Sequence, residues 1–263
     1  LAGTTSGSIA VNAKLNGSGT ILLDAADEIT IDASIDPTTV TLNADDDITV
    51  NAAVVASELI TVSAGEDGGG SFILGAAGSL ETTDSGSNIT VTTGASNGDI
   101  TLTGTTTALD QVTMTSASGS INGSGLVTSD TVDLNASSGI GNTTGVALSS
   151  SNITADTTTG DIEIANNLGT AASVLSLTTG TGSVSIDQSG GGDLSTSAVS
   201  ASGAVTLANA AGSLSLAGTL SGNSLDATAS GAITDDSDGD LAIAGLAEFT
   251  AGSLEPVSYT HLR

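Results

Sequence analysis

Three-residue units of the form aliphatic–Thr/Ser–aliphatic recur along most of this chain, and no other feature limits its fold as tightly. They include Ile29-Thr30-Ile31, Val40-Thr41-Leu42, Ile48-Thr49-Val50, Ile60-Thr61-Val62, Ile89-Thr90-Val91 and Ile100-Thr101-Leu102, and later Val184-Ser185-Ile186, Val205-Thr206-Leu207 and Leu214-Ser215-Leu216. Alternation with period two over three to five residues is the pattern of a short strand with one buried face. The middle Thr or Ser points away from the aliphatics, and β-branching suits it to that place. From Val112, strand openings fall at Ile121, Val132, Ile140, Ile153, Ile162, Val174 and Val184, so shorter steps alternate with longer ones. Two steps make a coil of about 19–22 residues, within the range of solenoid repeats. Around Gly68 to Gly78, and again near Leu194, the rhythm slips, and bulges or insertions are expected there.

Between the strands stand turn formers. Aliphatic–Asn/Asp–Ala tails recur, as in Leu23-Asp24-Ala25, Leu42-Asn43-Ala44 and Leu134-Asn135-Ala136, and are read as corners because Asn and Asp tolerate left-handed backbone. Gly-Ser and Gly-Asp pairs ahead of strands, such as Gly119-Ser120 and Gly160-Asp161, supply the other corners. A helix is excluded by 35 glycines and by the lack of any sustained 3.6-residue apolar stripe. An antiparallel sandwich also spaces its strands at 8–12 residues. The two-length rhythm and the scarcity of rings (no Trp, one Tyr, two Phe) favour thin stacked layers of small aliphatics over one thick core. The fold class expected is all-β: a parallel right-handed β-helix over residues 1–253. Residues 254–263 hold the only Tyr, His and Arg and break every pattern, so they are read as a non-native tail.

With these units the sequence resembles the repeat regions of filamentous-haemagglutinin-like exoproteins and related large bacterial adhesins, carried by segments such as Gly98-Asp99-Ile100-Thr101-Leu102-Thr103 and Gly160-Asp161-Ile162-Glu163-Ile164. The likeness spans nearly the whole chain and speaks for architecture more than for any one family. It implies the right-handed winding, secretion across an outer membrane, and display at the cell surface. Partners implied are a host or surface glycan or protein bound through regions outside this segment, and flanking coils of the same chain.

Charge narrows the function classes. Twenty-nine acidic residues against two basic ones give a net charge of −27. No basic face for nucleic acid or for an anionic membrane surface can be assembled. Without cysteine, disulfides and thiolate metal sites are absent. No stretch approaches the roughly 20 apolar residues of a membrane helix. Catalysis is not expected. Lys14 is the one cation in the repeat region, His261 lies in the tail, and carboxylates lack the aromatic platform that glycan hydrolysis usually needs.

Calcium is the remaining cofactor to weigh. Asp236, Asp238 and Asp240 place carboxylates at alternate positions, as oxygen-ligand loops do, although Gly239 and the missing Glu depart from the EF-hand pattern. Asp45-Asp46-Asp47, Glu66-Asp67 and Gly190-Gly191-Gly192-Asp193-Leu194 are weaker candidates. The plainer alternative for all of them is solvated acidic turns. Thr-x-Thr units at Thr39, Thr90, Thr101 and Thr113 invite comparison with the threonine arrays of ice-binding solenoids. By spacing, only Thr90 and Thr113 fall near one coil apart, so these are read as ordinary outward residues.

Overall fold

The computed structural model describes residues 2–143, 145–235 and 240–254. It is all-β, a parallel β-solenoid, and forms two compact units, Leu1–Ser137 and Ser138–Arg263.

In the first unit each coil has three faces. The longest carries six-residue strands such as Thr20–Ala25, Thr39–Ala44, Leu59–Ala64, Asn88–Thr93 and Gln111–Ser116, hydrogen-bonded in parallel without any register shift. Period two sends Ile21, Val40, Ile60, Ile89, Val112 and Val132 inward as one column, all 2% exposed or less. Each such side chain contributes at most about 1.5–3 kcal/mol, and only while the coils above and below cover it. The second face repeats Ile9–Val11, Ile29–Ile31, Ile48–Val50, Phe72–Leu74 and Ile100–Leu102.

The third face was not apparent in the spacing. It consists of strands as short as Leu15–Asn16 and Ile35–Asp36, and it lies inside what reads as the longer of two steps. Its inward column runs through Ile35, Val54, Leu80, Thr106 and Val127. Strands this short carry only one or two inward residues, too little alternation to register as a pattern.

Coil length is less uniform than 19–22 residues. Thr92 stacks on Ser63, 29 positions earlier, because chain is inserted after Gly65 and again after Thr82. The first insertion lies in the Gly68–Gly78 region singled out above. The second slip is displaced: Leu194 stays in register with Ala172 and Leu214, and the shift falls between Thr196 and Ala198.

The Asn/Asp tails are not left-handed corners. Among the described non-glycine residues only Asn97 has a positive φ, at 55°. Asp24, Asn43 and Asn135 continue their strands with half-exposed side chains, while Ala25, Ala44 and Ala136 turn inward to narrow the coil. Close approach of neighbouring coils accounts for the glycines ahead of strands. A Cβ on Gly119 would stand 2.5 Å from Asp99 Oδ1 and 2.8 Å from Gly98 O.

The second unit stacks Ile162, Val184, Val205 and Leu225 in one inward column and Ile164, Ile186, Leu207 and Ala227 in the next. The third inward position is polar in the first three of these strands, Asn166, Gln188 and Asn209, each 1% exposed or less, and Ala229 in the fourth. Asn166 Nδ2 donates to Gln188 Oε1 at 2.7 Å and to Ser150 O at 3.0 Å, and its Oδ1 accepts the Ser150 amide at 3.0 Å. Gln188 Nε2 donates to Leu168 O, and Asn209 Nδ2 to Gly192 O and Ser213 O. These side chains close the coil corners from within, satisfying groups that water cannot reach.

Candidate functional site

Corners and outward columns are where function would reside, since the interior is filled. The corner ahead of the second face of the first unit carries a side-chain ladder. Asp47 Oδ1 accepts the Ser71 amide at 2.7 Å, Ser71 Oγ accepts the Asp99 amide at 3.3 Å, and Asp99 Oδ1 accepts both the amide and the hydroxyl of Ser120, at 2.7 and 2.8 Å. The second unit repeats it: Asp161 Oδ1 takes the Ser183 amide and Ser183 Oγ the Ala204 amide. Asp193 Oδ1 takes the Ser213 amide. The Gly-Asp and Gly-Ser pairs are therefore one device, in which each coil caps a free amide of the next.

That role decides the reading of Asp193. Its carboxylate closes a corner at the edge of a hollow of about 220 Å³ that also meets Leu194, Ser195, Ser215 and Thr234. The hollow is smaller than ordinary small-molecule pockets, which run from about 300 Å³, and among the described residues no second carboxylate lines it. Lys14 lies 4.0 Å from Asp36 with both groups exposed.

Of the calcium candidates, Asp236 and Asp238 lie outside the described residues. Asp240 opens the strand Asp240–Ile243, exposed and paired in register with Thr219. Among the described residues no group of three or more His, Asp or Glu is arranged to hold a metal ion. The structure does bring Asp24, Asp45, Asp46 and Asp67 to one corner. Partial desolvation, then the charges of Asp67, Asp24 and Asp46, and a hydrogen bond with the Asp67 carboxyl raise the Asp45 pKa above the ordinary carboxylate value.

The threonine reading needs correction. On the long face of the first unit Thr41, Thr61, Thr90 and Thr113 occupy one outward column in unbroken register over successive coils. The inserted residues between Ser63 and Asn88 had hidden the relation between Thr61 and Thr90. Alongside run Asn43, Ser63, Thr92 and Thr115 on one side and Thr39, Leu59, Asn88 and Gln111 on the other. None of these twelve positions is charged. Acids stand around the field instead: Glu58, Asp84 and Asp110 before the strands, Asp45, Asp46 and Asp67 after them, and Asp24 and Asp133 one coil beyond each end. The second unit is different, with Glu163, Ser185, Thr206, Asp226 and Glu248 in one outward column.

In comparisons with protein-family models, curated proteins and solved structures, none matches this chain.

Proposed function

We propose that the chain is a structural, adhesive-type rod segment of a secreted or cell-surface exoprotein and carries out no catalysis. The observation behind this reading is the in-register parallel stacking of coils within each unit, backed by the repeated Asp/Ser corner ladder. Such a stack spends its residues on one-dimensional continuity, in which each coil is stabilised by its neighbours, and has no wide interior in which to build a site. An acidic, weakly self-associating surface suits display in solvent. The binding specificity of a larger adhesin would reside in other regions, with this segment as spacer.

Labelling of intact source cells with an antibody against the chain tests the reading. Surface signal on sealed cells, removable by external protease, is the expected result. Labelling only after lysis would sink the surface assignment.

A further inference from the structure

From the long face of the first unit we infer a second property, independent of where the protein resides: the neutral threonine field is a binding surface for ice. Four threonines repeat at the inter-coil distance, roughly 4.8 Å, and the flanking uncharged columns, polar except for Leu59, stand two residues away along the strand, roughly 6.6 Å. The array therefore has two fixed repeats, of which the inter-coil one lies near the short lattice repeat of an ice surface. Its rigidity is built in. Identical backbone surroundings and β-branching give successive threonines the same χ1 preference, so hydroxyl and methyl alternate regularly. The hydroxyls of Thr41, Thr61, Thr90 and Thr113 bond to no other group of the described residues, which leaves them for water. A single bridging water gains little. A rigid array that presents many sites at once gains by multiplicity, and only a periodic partner can meet all of them.

Charge identifies the partner. Ice excludes ions, and a charged side chain holds its own hydration water out of lattice order. A chain with 29 acidic residues keeps all of them off these twelve positions while lining the borders with Glu58, Asp84, Asp110, Asp45 and Asp67. A second copy is disfavoured on this face, because two such acidic borders would meet. A sugar platform would call for aromatic rings, and the field has none.

The test is nanolitre osmometry on the full chain, with ice growth watched in the hysteresis gap. Faceted crystals and a measurable gap are expected. Thr61→Tyr with Thr90→Tyr puts rings at the centre of the field and should abolish most of the gap. Thr30→Tyr with Thr49→Tyr, on neighbouring coils of the second face, should leave it unchanged. Far-UV circular dichroism and the unfolding midpoint confirm that both variants keep the fold. Round, freely growing crystals with the wild-type chain overturn the proposal, as does equal loss in both variants. Retention on crystalline cellulose without any hysteresis would overturn it in favour of a neutral polysaccharide.

Discussion

Asp99 Oδ1 accepts the backbone N–H of Ser120 at 2.7 Å, one coil further along the first unit, and the same oxygen accepts the Ser120 hydroxyl at 2.8 Å. Parallel ladders pair the residues within strands, but at a corner the chain turns away and an amide is left over. A carboxylate or hydroxyl from the preceding coil fills that gap. Because Asp and Ser both reach, the sequence alternates them: Asp47, Ser71, Asp99, Ser120.

Replacing Asp99 by Ala should therefore lower stability by about 1–2 kcal/mol, the usual cost of losing a charge-assisted bond at a half-open site. Asp99→Ser should be milder, since Ser71 serves the same position one coil earlier. The direction is informative because removing a carboxylate from a chain of net charge −27 lowers self-repulsion. Urea denaturation checks it; a midpoint that rises in the Ala variant would show that repulsion outweighs the corner bond.

Asn166 is a larger liability. It is fully buried, and its amide joins Ser150 to Gln188. Asn166→Ala should cost about 2–4 kcal/mol, combining a cavity with the loss of Asn166 as partner to Gln188 Oε1 and to the Ser150 backbone. Hydrogen exchange should quicken first around Ser150 and Gln188. Uniform exchange across the second unit at unchanged midpoint would refute the idea that this network holds the corner.

Thr106 points the other way. Its hydroxyl is buried without a hydrogen-bond partner, stacked between Leu80 and Val127 in the third inward column. Thr106→Val keeps the shape and removes the unsatisfied group, so a gain of about 1 kcal/mol is expected, read as a higher denaturation midpoint. An unchanged or lower midpoint would mean that the hydroxyl finds a partner in solution.

Legibility in the sequence followed the density of signal. Ile48-Thr49-Val50 and Val184-Ser185-Ile186 announce strands because three residues alternate and the unit recurs; Ile35-Asp36 does not, having one inward residue. Parallel stacking was readable from recurrence, as Ile140, Ile162 and Val184 do fall in one column. Side-chain roles were less readable. Asn166 and Asp24 both follow an aliphatic residue, yet one turns inward to close a corner and the other faces outward, a difference set by strand phase rather than by residue type. The stacking of Thr61 on Thr90 was hidden for a different reason. Counting along the chain presumes constant coil length, and loops such as Gly65–Gly70 lengthen a coil without disturbing the ladder it returns to.

Asp45 gives the pH dependence. Its folded pKa is raised, by partial desolvation and by Asp67, Asp24 and Asp46, so the folded state holds a proton that the unfolded chain releases. The sign follows: this group's stabilising contribution is fully present below the ordinary carboxylate pKa and is lost as pH rises through the raised value. Asp45→Asn should accordingly raise the unfolding midpoint at neutral pH, with the difference from wild type vanishing in acid. Added salt should narrow the same difference by screening the neighbouring carboxylates. Midpoints measured for both proteins from acid to neutral pH decide it, and a difference that grows towards low pH would contradict the assigned cause.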